Sequence, residues 1–183
     1  MSRKWWWIIA GVVGVGVVLA VVVGLFAYHA NSENRAANDA YANSVCTAIG
    51  NWQQQIKTIG ATSGTSQADL ESKSGQVQTA TKNLVDQLEA TPVPRASDGQ
   101  AASQQLAQLS TDLTNTVDAT QNGIAAIKSD TSAATIATVA VTLKTQYQAL
   151  IDSAKSAVDT LGGNALPLSL AFRRTDACKN LSL

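Results

Sequence analysis

Apolar residues after position 32 recur at intervals of three and four, which is the spacing of an amphipathic helix and not the alternation of a strand. Four stripes have this spacing, and each gives a helix one apolar face that must be buried against another helix. The stripes are Tyr41, Val45, Ile49, Trp52, Ile56 and Ile59; Leu70, Val77, Thr81, Leu84 and Leu88; Leu106, Leu109, Leu113, Val117, Ile124 and Ile127; and Ile136, Val139, Leu143, Tyr147, Leu150, Ala154, Val158 and Leu161. The pattern predicts an all-α domain.

Residues that begin or end helices separate the stripes. Ser66 with Asp69 three positions later resembles a helix N-cap, and Ser97-Asp98 can start the next helix. Pro92 and Pro94 stop a helix because proline lacks the amide donor and clashes with the preceding turn. We expect helices at about 33–59, 66–91, 97–129 and 132–161, and one short helix in the tail at 168–181.

Four amphipathic helices joined by short loops predict an antiparallel four-helix bundle. The alternative is one very long helical hairpin within a dimer, which leaves a homo-oligomer open. Trp52 lies on an apolar stripe, so we assign it to the core and not to a ligand platform.

An uncharged apolar stretch at 5–28 precedes this domain. As a helix its 24 residues would rise roughly 36 Å, enough to cross a bilayer with some tilt. The flanks carry basic and aromatic residues that suit the two membrane interfaces, and the basic flank places the N-terminus in the cytoplasm. The interface residues are Arg3, Lys4, Trp5, Trp6, Trp7 and Tyr28. The sequence therefore predicts a cytoplasmic stub at 1–4, a signal-anchor helix at 5–28 and an extracytoplasmic domain at 29–183.

A cleaved signal peptide is the competing interpretation of this stretch. It fits less well because the apolar run exceeds the usual length, and cleavage after Ala30 or Ala27 would leave Tyr28 or Leu25 at the minus-three position. Gly16, Ala20 and Gly24 share a helix face and could pair two anchors, although glycine and alanine are common in apolar spans. Under either interpretation the domain is exported.

The two cysteines, Cys46 and Cys178, both follow the anchor. An exported domain that has two cysteines most often pairs them, and the bond would join the tail to the first helix. Two free buried cysteines are the alternative. Closing so long a loop would stabilise the fold by about 5 kcal/mol in the chain-entropy model.

Residues for catalysis, cofactor binding or metal binding do not form a pattern. The one histidine, His29, lies at the predicted membrane boundary, so neither a triad nor an imidazole zinc site is expected in the bundle. The carboxylate pairs Asp69/Glu71 and Asp86/Glu89, and Asp152 with Lys155, are more typical of a solvated surface than of an acid–base dyad.

Charge excludes a nucleic-acid partner. The chain has 13 basic and 13 acidic residues, and subtraction of Arg3 and Lys4 leaves 11 basic against 13 acidic beyond the stub. A nucleic-acid binder needs a basic face instead. Arg173-Arg174 forms a small basic spot that could touch acidic lipid headgroups.

The whole chain resembles the membrane-anchored or secreted helical proteins of actinobacteria. The resemblance rests on a short basic start, a valine-rich anchor, an Ala/Thr/Gln-rich helical domain and the two cysteine segments, 45–49 and 176–181. It implies a location in the cell envelope and carries no catalytic residues.

These features favour a non-enzymatic envelope protein whose tethered bundle binds the bilayer and a protein or other envelope partner. The alternative is a sensory or small-ligand-binding bundle that acts through a partner membrane protein. An enzyme is the third hypothesis, and a phage-derived exclusion or immunity factor is a further interaction-class option.

Overall fold

The computed structural model describes residues 34–61, 66–129, 132–163 and 165–181. In this part of the chain every regular element is a helix, which confirms the predicted all-α class. The helices are α1 at 34–61, α2 Gln67–Ala90, α3 Gly99–Ser129, α4 Ala133–Gly162, α5 Pro167–Arg174 and α6 Asp176–Lys179.

The chain divides into two units, Met1–Ala37 and Asn38–Leu183. Of the first unit the structure describes residues 34–37, which are helical. In the second unit α2 packs against α3, α3 against α4, and α4 against α5, so these helices form a packed helical bundle.

The predicted anchor at 5–28 lies outside the described residues, and so do the predicted interface residues Arg3, Lys4, Trp5, Trp6, Trp7 and Tyr28. Among the helices that the structure does describe, none has the length and apolar character needed to cross a bilayer.

The starts of α2 and α4 follow the local signals in the sequence. The Ser66 hydroxyl accepts a hydrogen bond from the Asp69 N–H at 3.2 Å, and the Asp69 carboxylate accepts one from the Ser66 N–H at 3.2 Å. This reciprocal pair satisfies two amides of the first turn, and the sequence predicted it. The Ser132 hydroxyl caps α4 by accepting from the Thr135 N–H at 3.2 Å.

The connection between α2 and α3 contains Pro92 and Pro94, as predicted, and requires a glycine where α3 begins. A Cβ at Gly99 would lie 2.7 Å from the Pro94 carbonyl oxygen, which is closer than a real contact allows. The missing side chain therefore lets the backbone of the turn pack directly on the first turn of α3.

The predicted stripes form the core. Every member of the first two stripes is buried, including Thr81, which accepts a hydrogen bond from the Trp52 indole N–H at 3.2 Å between α2 and α1. In the last two stripes Ile136 and Val139 are half-buried at the start of α4, and the side chain of Ile127 lies outside the described part. The Trp52 indole thus has Thr81 as its polar partner inside an otherwise apolar layer.

Threonine hydroxyls on the helices bond mainly to their own backbone. Twelve described threonines donate to the carbonyl oxygen four residues earlier. Such bonds satisfy the hydroxyl but add little to helix stability. Helix formation therefore depends on burial of the apolar stripes and not on the intrinsic propensity of these segments.

The predicted single tail helix at 168–181 is instead two helices, α5 and α6. Thr175 lies between them in an extended conformation, with φ −72° and ψ 127°. Its N–H donates to the Ala171 carbonyl and closes α5, while its own carbonyl accepts from Cys178 and Lys179 and opens α6. Sequence periodicity missed this break because neither glycine nor proline marks it.

Tyr147 of α4 is buried, and its hydroxyl has no hydrogen-bond partner among the described residues. Burial raises the pKa of Tyr147 from 10.0 to about 12, because desolvation disfavours the phenolate. Between pH 10 and 12 the folded protein therefore keeps a proton that the unfolded chain has released. The free energy of unfolding falls as the pH rises through this range.

We expect Tyr147→Phe to reduce that alkaline loss of stability, since phenylalanine keeps the ring and has no proton to release. At neutral pH the change should be below about 1 kcal/mol because the hydroxyl makes no hydrogen bond. Urea unfolding at a series of pH values, followed by circular dichroism, measures both effects. An unchanged alkaline slope would contradict the assignment to Tyr147. Tyr41, whose pKa burial also raises, stays in both proteins as an internal reference.

Candidate functional site

A disulfide joins Cys46 of α1 to Cys178 of α6, as the sequence predicts. The two Cα atoms lie 5.0 Å apart, and the residues are 132 positions apart in the chain. Both are buried, and the Cys178 sulfur lies 3.5 Å from the Ala42 carbonyl oxygen, one helical turn before Cys46. The break at Thr175 precedes α6, so the tail reaches α1 through two short helices.

Asp98 holds the start of α5 although it belongs to the start of α3. Its backbone carbonyl accepts the Ala102 N–H of α3 at 3.0 Å. Its carboxylate accepts from the Leu168 N–H at 3.2 Å and from the Ser169 N–H at 3.0 Å and hydroxyl at 3.1 Å. The side chain is therefore an N-cap supplied from about 70 residues away.

The sequence pattern places Asp98 at a helix start but does not predict this contact. A signal exists in the local sequence of α5, which begins with Pro167 after the apolar Leu166 and has no capping side chain of its own. The amides of that first turn are buried and need acceptors from elsewhere. Sequence alone does not say which of the carboxylates supplies them.

The two arginines of the predicted basic spot, Arg173 and Arg174, have different neighbours. Arg174 donates from Nε to the Asp39 carboxylate of α1 at 2.6 Å, and both side chains are partly exposed. Arg173 is exposed, and its Cγ lies 3.2 Å from the position that a Cβ at Gly162 would take. Beside the ion pair, Tyr41 of α1 and Phe172 of α5 meet edge to face, with ring centroids 6.1 Å apart.

A groove of about 550 Å³ lies between the C-terminal part of α2 and the N-terminal part of α3, with the buried Tyr41 of α1 among its lining residues. Leucine, valine and alanine side chains supply apolar surface, and hydroxyl groups with one amide, that of Asn115, supply most of the polar surface. Glu89 is the one charged residue among the described lining residues. Such a mixed, largely uncharged surface suits a contact with another polypeptide better than the binding of an ion.

Four of the carboxylates considered above, Asp69, Glu71, Asp86 and Asp152, bind neighbouring polar groups close by in the sequence. Hydrogen bonds from the Ser66 side chain and backbone lower the pKa of Asp69. The other pairs are Glu71 with Gln67, Asp86 with Lys82, and Asp152 with Gln148. Within the described ranges no group of three or more His, Cys, Asp or Glu residues is arranged as a metal site would be.

Comparisons of the chain with models of known protein families, with curated proteins and with solved structures found no match. The resemblance to envelope proteins of actinobacteria stays a prediction. The disulfide, the Asp98 contacts and the surfaces around them are the features of the molecule that bear on its function.

Reduction of the Cys46–Cys178 bond should lower the free energy of unfolding by up to about 5 kcal/mol, because the loop of 132 positions regains its freedom in the unfolded chain. Urea unfolding with and without reductant measures the difference. The double variant Cys46→Ala/Cys178→Ala should match the reduced protein and show no response to reductant. Equal stability of the oxidised and reduced wild type would contradict the expectation.

Asp98→Ala should cost about 2 kcal/mol, because it leaves two amides and a hydroxyl of α5 without their acceptor. Asp98→Asn keeps an acceptor oxygen and should cost less. The exposed Asp118 provides the matched control, and Asp118→Ala should stay within about 0.5 kcal/mol of wild type. If both alanine variants unfold at the same urea concentration, the Asp98 carboxylate does not hold α5.

Proposed function

We propose that the chain is a single-pass, membrane-anchored protein of the cell envelope. In this proposal residues 5–28 span the membrane with the N-terminus in the cytoplasm, and an extracytoplasmic antiparallel four-helix bundle follows. The bundle has no enzymatic role and binds a protein partner in the envelope.

The Cys46–Cys178 disulfide is the observation that carries the proposal. Disulfides persist in oxidising compartments and are rare in the cytosol, where thiol systems keep cysteines reduced. Both cysteines follow the apolar stretch, so export of everything after it accounts for the bond. The basic residues before the stretch favour the same orientation.

Contacts along α1 and α2 support the antiparallel arrangement. Tyr41, near the start of α1, shares a groove with Leu88 near the end of α2. Ile59, near the end of α1, shares a second groove with Ser72 near the start of α2. As the residue number on α1 increases, the number of the neighbouring residue on α2 decreases, which is the relation between helices that run in opposite directions.

The groove between α2 and α3 is the surface that we propose for the partner. It combines apolar side chains with hydroxyl and amide groups and has little charge, which is the composition of a protein–protein contact. The catalytic alternative has less support, because the one histidine at position 29 lies outside the sequence of the bundle.

The location is tested with a reporter fused after Leu183. Alkaline phosphatase, which needs an oxidising compartment, should be active in this fusion, and the protein should stay in the membrane fraction after alkaline carbonate extraction. Activity of a cytosolic reporter alone would overturn the orientation, the export and the envelope role together.

The partner surface is tested by a photo-crosslinking residue at Ala107, which is exposed and lines the groove. The matched control is the same residue at Ala149, an exposed alanine on α4. A crosslinked band at 107 that is absent at 149, in cells that express the full chain, supports the groove. Bands of equal strength at both positions would contradict it.

A small-ligand role is the second candidate, and the size of the groove favours it. About 550 Å³ lies within the range of pockets that hold small molecules. A ligand that binds the folded protein raises the melting temperature by mass action. A thermal-shift screen against small metabolites separates this role from partner binding.

A further inference from the structure

Three exposed apolar side chains lie in the α2–α3 turn and at α5, the two segments that the Asp98 hydrogen bonds connect. Four large apolar residues of the described chain are exposed, and three of them are Val93 at 40%, Leu166 at 43% and Leu170 at 37%. Val93 is in the α2–α3 turn, with its Cγ1 3.3 Å from the position of a Cβ at Gly99. Asp98, the residue before Gly99, binds the amides of Leu168 and Ser169, which lie in the chain between Leu166 and Leu170.

Leu170 and Arg173 are three positions apart on α5, so helical geometry puts both on one side of the helix. Leu166, the residue just before the helix, is exposed as well. The opposite side of α5, with Leu168 and Phe172, is buried in the bundle. We call the exposed set of Val93, Arg95, Leu166, Leu170 and Arg173 the α5 surface.

The α5 surface lies close to the point where the compact unit begins. The Arg174–Asp39 ion pair and the Tyr41–Phe172 ring contact hold α5 beside the first turns of α1. The compact unit starts at Asn38. Tyr28, the last residue of the proposed span, is ten positions before Asn38, and ten positions reach at most about 35 Å when fully extended.

The charge of the α5 surface suits phospholipid. Arg95 and Arg173 are exposed, and neither takes part in an ion pair within the described residues. Leucines between cations are the composition of helices that lie in the interfacial region of a bilayer. Cations near an anionic membrane surface are attracted to it over about a Debye length.

Resting on the proposed anchor, we propose that the α5 surface lies on the outer face of the phospholipid bilayer. Leu166 and Leu170 enter the headgroup region, and Arg173 binds lipid phosphate. Two leucines give weak binding by themselves, but a short covalent tether raises the effective concentration of the surface at the membrane to about the millimolar range. The bundle is thereby held against the membrane with the α5 end inward.

The test uses the full oxidised chain in vesicles of phosphatidylcholine with a minority of phosphatidylglycerol and a nitroxide-labelled lipid. A fluorophore is attached at Ala165→Cys, an exposed residue beside Leu166. The matched control carries the fluorophore at Ala68→Cys, an exposed residue at the start of α2. This helix of 24 residues is about 36 Å long, and the α2–α3 turn follows its other end. Quenching at 165 should exceed quenching at 68 several-fold.

Leu166→Ser and Leu170→Ser together, in the protein labelled at 165, should lower its quenching toward the value at 68. Both leucines are exposed, so the helical circular dichroism should not change. Equal quenching at 165 and 68 would overturn the proposal. Unchanged quenching in the serine variant would overturn it too, because proximity would then come from the tether alone.

Flotation of the protein with the vesicles separates the two proposals. If the protein floats and the quenching pattern is absent, the anchor stands and the α5 surface does not contact lipid. If the protein does not float, the anchor and the lipid contact are both overturned. Shielding of the label that rises with protein concentration in nitroxide-free vesicles would assign the surface to a second copy and overturn the lipid assignment.

Discussion

The tail of the described chain is covalently bound to its first helix, and the arrangement of the bundle depends on this constraint. The Cys46–Cys178 bond fixes α6 on α1, and α5 lies between α4 and α6 in the chain. Helices whose surfaces carry few charges and many threonines have modest propensity of their own. A cross-link that removes freedom from the unfolded chain adds stability that the helices alone do not supply.

Asp98 holds the start of α5, whereas the disulfide holds α6, so the tail is fixed at two places. One carboxylate at the start of α3 supplies the acceptors for the first turn of α5, where the chain has Leu166 and Pro167 and no cap of its own. The contact fixes α5 against the α2–α3 turn. Together with the Arg174–Asp39 ion pair it defines which face of α5 is left exposed.

The surfaces of the two proposed roles meet at Val93, which lines the groove and also belongs to the α5 surface. The groove between α2 and α3 has hydroxyl, amide and apolar groups with little charge, whereas the α5 surface has leucines and exposed arginines. If the α5 surface holds the bundle on a bilayer, the groove along the sides of α2 and α3 is still accessible to a partner in the envelope. The disulfide links both proposals, because an oxidising compartment, as proposed, would preserve it and because it holds α6, which follows α5.

The sequence by itself determined the helical class, the core members on the first four helices, the cap at Ser66, and the pairing of two cysteines. These follow from local periodicity and local hydrogen bonding. Only the tertiary structure decided that the tail breaks at Thr175, that Asp98 caps α5, that Arg174 pairs with Asp39, and that Leu166 and Leu170 are exposed. Each of these depends on which distant segments meet, and no local pattern records that choice.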